Sequence, residues 1–317
     1  DVTTEFYIND RGVQMDKFGI SVMAAASGEA VPEDGYHGGY ILDLAAQINR
    51  EHPEFRQLPA EEQMVAFREE AYALQWQQQK DVLELFRTHF DVWYSERKLY
   101  DSGAVERAQA RLEAQGHVFE SEGALWLRTT TFGDDKDRVL IKENGERTYF
   151  AADTAYYVDK RMRGFDTAIY LLGADHHGYV NRLRAVAACA GDNMHENIEI
   201  LIGQLVKITR GGVEVKLSKR SGQIVTLEEL VEEVGVDAAR YTLARYPVET
   251  PLVVDLEEIA RKANDNPVFY VQYAHARISS VLRNAQDIGA KWRESAFIPE
   301  LLDMEQENEL LGVIEKF

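Results

Sequence analysis

Three cations and two hydroxyls crowd into "VKLSKRSG" (215–222), where Lys216, Lys219 and Arg220 stand beside Ser218 and Ser221. Loop lysines suit phosphate oxygens: a cation about 4 Å from one gains roughly 1 kcal/mol in bulk water but roughly 4 kcal/mol in a partly dry cleft. Such crowding of like charge is repaid when an anion such as a triphosphate meets it, and the plain alternative is a solvated basic turn. A second constellation is "YFAAD" (149–153). If a helix starts near Tyr149, that residue and Asp153 share one face and present a phenol and a carboxylate together. The carboxylate suits a guanidinium, which it holds in a bidentate fork, while the phenol adds a hydrogen bond and an aromatic wall. The competing reading makes Asp153 a helix cap and Tyr149 a core residue. A third is "GADHHG" (173–178), with Asp175, His176 and His177. Adjacent strand histidines point to opposite faces and no third ligand sits at zinc-site spacing, so a polar substrate or nucleotide contact is favoured over a metal or a structural cap.

Each constellation needs elements to hold it. The basic loop follows the apolar run "IEILIGQLVKI" (198–208) and precedes "TLEELVEEV" (226–234), where Thr226 and Glu229 have capping-box spacing. "DTAYYVDKRMRG" (153–164) reads as a helix, and "TAIYLLGADHHG" (167–178) as a short apolar strand running into a polar turn. Continuous apolar strands alternating with helices predict an α/β fold whose parallel sheet is covered on both faces, a Rossmann-like core. Ligands then bind beyond the carboxyl ends of the strands, which is where these polar residues fall. Nearer the start, "TEFYIN" (4–9) reads as a strand and 8–27 as a turn into a helix. "GEAVPEDGYHGG" is a loop, 40–100 is mainly helical, and 123–150 has the texture of an antiparallel hairpin. From about 256 the pattern is helical to the end.

At 317 residues and 45% hydrophobic, the chain can bury a large core. Its formal net charge of −19 opposes diffuse attraction to nucleic acid or anionic membrane, so a polyanion must be met by local basic patches. Cys189 is the only cysteine, which excludes an internal disulfide and fits a cytoplasmic location. No run is long and apolar enough to span a bilayer, and "DVTTEFYIND" lacks signal-peptide grammar. Gly-rich P-loop, Gly-x-Ser-x-Gly and His-Glu-x-x-His patterns are all missing, which leaves the usual NTPase, esterase and metalloprotease readings unsupported.

"KLSKR" resembles the Lys-Met-Ser-Lys-Ser signature of class I aminoacyl-tRNA synthetases, with leucine and arginine in two positions. Its company sharpens the resemblance: "FYINDRGVQ", "DVWYSERKLY", "FGDDKDRVL", "TYFAADTAYYVDK", "GADHHGYVNRL" and "NDNPVFYVQYAHARI" follow in the order found in arginyl-tRNA synthetases. That resemblance implies a catalytic domain over 1–262, with an insertion at about 28–147 and a signature-loop region at 209–262. Residues 263–317 would be the start of a helical anticodon-binding domain, cut short.

It further implies ligation of arginine to tRNA through an arginyl-adenylate, with ATP, magnesium carried on the ATP, and no dedicated metal site. Lys216 and Lys219 match the signature lysines that stabilise the α-phosphate and departing pyrophosphate, and Ser218 adds a hydrogen bond. Tyr149 and Asp153 match positions holding the substrate guanidinium, His176 a further substrate contact, and Gln204 a neighbour of adenine. Asn9, Asp10 and Gln14 match a motif at the active-site rim without individual roles. No editing domain is expected, because a site built for a guanidinium rejects analogues lacking its donors by roughly 10⁴ to 10⁵. A monomer is expected. The family's His-Ile-Gly-His signature is absent, although the chain has eight histidines. It would lie upstream of Asp1, so a fragment with little activity of its own is expected. The rival readings are a non-catalytic tRNA- or arginine-binding relative, another class I synthetase, and a metal-dependent hydrolase built on Asp175, His176 and His177.

Overall fold

The computed structural model describes residues 1–215, 226–261, 263, 266–289 and 298–316. Lys216, Ser218 and Lys219 therefore lie outside the described residues. The chain divides into two compact units, Asp1–Arg261 and Lys262–Phe317.

In the first unit, β1 (Glu5–Ile8) runs through the loop 9–12 into α1 (Val13–Ser27). Two further helices, α2 (Gly39–Glu51) and α3 (Ala60–Leu85), pack on α1 around Phe18, Val22, Ile41, Ile48 and Phe67. The chain returns through β2 (Val92–Ser95), which lies parallel to β1 with Glu5 opposite Val92. After α4 (Glu96–Asp101) and α5 (Ala104–Ala114) come β3 (Val118–Ser121), β4 (Ala124–Leu127) and β5 (Arg138–Ile141), an antiparallel three-stranded meander.

Thr148 ends the meander and caps the next helix, its hydroxyl oxygen accepting the Ala151 N–H at 3.3 Å, so α6 (Tyr149–Met162) begins at Tyr149. This helix carries the main core. Tyr156 packs on Tyr7 and Tyr94, with ring centroids 4.5 and 5.0 Å away, and Tyr157 and Val158 are fully buried. Beyond α6, β6 (Ala168–Gly173) leads through a 3₁₀ turn (Ala174–Tyr179) and α7 (Val180–Cys189) to β7 (Ile198–Gly203). β6 and β7 pair in parallel with Ala168 opposite Ile198, which makes a βαβ crossover. Val186 and Ile198 are buried beneath it, at about 1.5–3 kcal/mol for each such side chain. Cys189, at the end of α7, is buried, and burial pushes its thiol up to about 12.

A small fourth sheet closes the unit. β8 (Val206–Arg210) turns back into β9 (Val213–Glu214). After α8 (Leu227–Val234) and α9 (Val236–Ala244), β10 (Leu252–Asp255) pairs in parallel with β8, and α10 (Leu256–Ala260) follows. The second unit contains α11 (Pro267–Asp287), capped by the Asn266 carboxamide oxygen accepting from Val268 N–H at 3.0 Å, and α12 (Glu305–Lys316). No helix among the described residues is long and apolar enough to cross a membrane.

The fold is α/β, as expected, with three differences. Instead of one continuous sheet, the described residues form separate sheets, and the parallel pairs β1–β2 and β6–β7 are joined by their common packing on α6 rather than by strand hydrogen bonds, with the parallel pair β8–β10 in a sheet of its own with β9. Coverage on both faces was expected, yet Leu171 of β6 is 72% exposed. Finally, β2 belongs to the parallel core although it falls inside the stretch read as an insertion, and the expected hairpin is a three-stranded meander starting at Val118.

Candidate functional site

A cleft of about 1230 Å³ opens beyond the carboxyl end of β1. The loop after β1 contributes Asn9 and Arg11, α1 contributes Gln14, and α3 contributes Tyr72 and Trp76. α4 presents Glu96 at its first residue, α6 presents Tyr149 and Asp153, and Thr226 and Glu229 approach from the start of α8.

Tyr149 and Asp153 thus come together, one helical turn apart on α6. The Tyr149 side chain stands out into the cleft at 73% exposure, its hydroxyl close above Gly12. Gly12 has a φ of +86°, a conformation that glycine adopts without the strain a Cβ would bring. Asp153 is pushed up to about 6 by burial, against the attraction of Arg182 and His176. His176 lies in the 3₁₀ turn after β6, its ring edge-on to Tyr179 at 5.4 Å. It is not among the residues lining the cleft, and it acts on Asp153 through charge.

Glu96 was not singled out from the sequence. It is 8% exposed, and burial raises its pKa; Arg11 opposes that rise, while Asp10 and Asp153 add to it. Two carboxylates that repel each other across one cleft, each reluctant to ionise, form a site that a cation stabilises. The Arg11 guanidinium lies 3.5 Å above the Tyr100 ring, so its flat face is already occupied. A signal for Glu96 existed: it is the polar residue immediately after a parallel strand, in a stretch that read as helix.

Gln204 follows β7, where its backbone N–H donates to the Val248 carbonyl at 3.0 Å, and it does not line the cleft. The residues on either side of 216–225 are described: Val215 N–H donates to the Ile208 carbonyl at 3.1 Å, and Thr226 lines the cleft. Thr226 and Glu229 form the capping box their spacing suggested, with Glu229 N–H donating to the Thr226 hydroxyl at 3.2 Å and Thr226 N–H to the Glu229 carboxylate at 3.0 Å. Asp175, His176 and His177 do not form a ligand group; among the described residues that description fits Glu51 and His52 at the end of α2 with Glu70 inside α3.

A family model described as tRNA synthetases class I (R), catalytic domain, matches residues 59–280. The chain is 51% identical, over 99% of its length, to an arginine–tRNA ligase of Frankia alni, of which it spans 57%. It is 54% identical, over 100% of its length, to one of Micrococcus luteus, of which it spans 56%. It therefore covers a little over half the length of these relatives. Among solved structures, a putative arginyl-tRNA synthetase from Campylobacter jejuni superposes with a TM-score of 0.80 at 34% identity, covering 90% of this chain and 63% of that one. The Thermus thermophilus arginyl-tRNA synthetase, at 21% identity and a TM-score of 0.65 over 94% of this chain and 60% of that one, shares the fold.

Proposed function

The chain belongs to the class I (R) tRNA synthetase catalytic-domain family, and from that membership we propose that it is the core of an enzyme that activates arginine with ATP and ligates it to tRNA. The observation that carries this reading is the pair Glu96, buried, and Asp153, half-buried, two carboxylates with raised pKa values on one cleft, with the Tyr149 phenol beside them. A guanidinium is planar, permanently charged and rich in donors, so it serves two carboxylates at once and offsets their repulsion.

In this reading Asp153 and Glu96 bind the guanidinium, Tyr149 walls it, and His176 supplies a further contact near Asp153. The substrate carboxylate then attacks the α-phosphate of ATP, whose phosphates bring magnesium with them, to give arginyl-adenylate and pyrophosphate. Lys216 and Lys219, with Ser218, would stabilise the charge that builds on the phosphates, and Gln204 would neighbour adenine. The acyl group then passes from the adenylate to a hydroxyl of the terminal ribose of tRNA, and AMP leaves. Catalysis of this kind is mainly positioning and charge stabilisation. Residues 1–262 would form the catalytic domain and 263–317 the start of a helical anticodon-binding domain.

The test is amino-acid-dependent exchange of pyrophosphate into ATP by the whole protein carrying this chain, with and without tRNA. Arginine is expected to be the one amino acid that supports exchange. Stimulation by a different amino acid, or none by arginine even with tRNA present, would overturn the reading.

A further inference from the structure

Asp10 is 2% exposed and lies between two cleft residues, Asn9 and Arg11, yet does not itself line the cleft. Its carboxylate is fully engaged. Oδ2 accepts the Tyr72 hydroxyl of α3 at 3.0 Å and the Ser95 hydroxyl, and Oδ1 accepts the Arg97 backbone N–H at 3.0 Å. The backbone carbonyl of Asp10 takes the Arg97 Nε–H at 2.6 Å. The rest of that guanidinium forks onto Glu69 of α3, at 2.6 and 3.1 Å.

The Arg97 N–H is one of the unsatisfied donors at the start of α4, whose first residue is Glu96. Ser95 is the residue placed to cap that helix, and its side chain makes no capping bond. It donates instead to Asp10, and Asp10 supplies the cap from a distant part of the chain. One buried carboxylate thus fixes where α4 begins and ties that start to the loop after β1 and to α3.

We propose that Asp10 is the positioning residue of the guanidinium site, capping α4 so that Glu96 is held at the wall of the cleft that Asp153 also lines. The proposal rests on the reading of the cleft given above. Asp10 itself touches no substrate. Its substitution should therefore act on arginine recognition through Glu96, and spare recognition of ATP.

The experiment measures the KM for arginine and for ATP in pyrophosphate exchange by the whole protein, with thermal unfolding recorded alongside. In Asp10→Asn one acceptor oxygen becomes a donor facing existing donors. Arginine KM is expected to rise by about 10-fold or more, as for a misplaced contact group, with ATP KM within about 2-fold of its starting value. In Ser95→Ala and Tyr72→Phe, which each remove one hydroxyl donor and keep the cap, arginine KM should rise by about 3-fold. An unchanged arginine KM in Asp10→Asn, or an equal rise in both KM values, overturns the proposal. If Asp10→Asn does not fold, the milder variants decide, and an unchanged arginine KM in both overturns it. Glu96→Gln is the control: should it keep full arginine activation, the reading of the cleft has failed, whatever Asp10 does.

Discussion

Glu96 and Asp153 reach one cleft from two different helices, and the charge of Asp153 helps to hold the Glu96 carboxyl above its usual range. On the reading proposed above, a bound guanidinium would offset this repulsion. Affinity for substrate is therefore linked to the protonation of these two groups.

Arginine affinity should depend on pH in a defined direction. Burial pushes Asp153 up to about 6, and a bound guanidinium favours the ionised form, which lowers that value in the complex. Affinity is expected to be level above about pH 6 and to weaken below it, by up to about 10-fold per pH unit for one proton taken up. Calorimetric titration of arginine between about pH 5 and about pH 8 measures this. A flat profile would remove Asp153 from the site.

Asp153→Asn should separate stability from binding. The folded-state pKa of Asp153 stands above its ordinary 3.8, so ionisation costs stability as pH rises from 3.8 to about 6, and the cost persists at neutral pH. Removing the charge is expected to stabilise the fold by up to about 3 kcal/mol at neutral pH while arginine binding is lost. Denaturant unfolding paired with calorimetry tests both halves, and a less stable variant would contradict the first.

Arg138→Met should be strongly destabilising. Burial pushes the Asp134 carboxyl up, but the Arg138 fork, two bonds of 2.7 Å, outweighs it and holds the group below its ordinary range. Leaving Asp134 unpaired at 8% exposure should cost about 3–5 kcal/mol at neutral pH. Because the folded-state pKa is depressed, the pair's contribution is present above 3.8 and fades as pH falls below it. Urea melts at neutral and acid pH would show the gap between wild type and variant narrowing in acid.

Thr226→Ala removes the hydroxyl that accepts the Glu229 N–H, at an expected cost of about 1 kcal/mol. The helix it caps starts just after the basic loop and lines the cleft. ATP KM is expected to rise several-fold, and arginine Kd to change little. A rise in arginine Kd alone would assign the start of α8 to the amino-acid side of the cleft.

What the sequence disclosed and what it concealed divide by range. Tyr149 at a helix start, the Thr226–Glu229 box and the apolar run of β6 are set by neighbours within a few residues, and each is legible from spacing alone. β2 is only four residues long and pairs with a strand whose nearest partner residue, Glu5 for Val92, lies far back in the chain. Nothing local marks it as parallel core, and the helical texture of α3 just before it points the other way. Glu96 was hidden for the same reason, since its meaning depends on the strand that precedes it. His176 was marked by its place in the polar turn after an apolar strand as well as by resemblance, and Gln204 by resemblance; neither lines the cleft.

The single thiol has a practical consequence. With Cys189 buried at the end of α7 and its pKa pushed up to about 12, maleimide reagents at neutral pH should find almost no thiolate in the folded chain. A cysteine introduced at Gln78, on the cleft rim, would then carry a fluorophore at one defined place. Occupancy of the cleft becomes readable as emission in real time, without first stripping a native background.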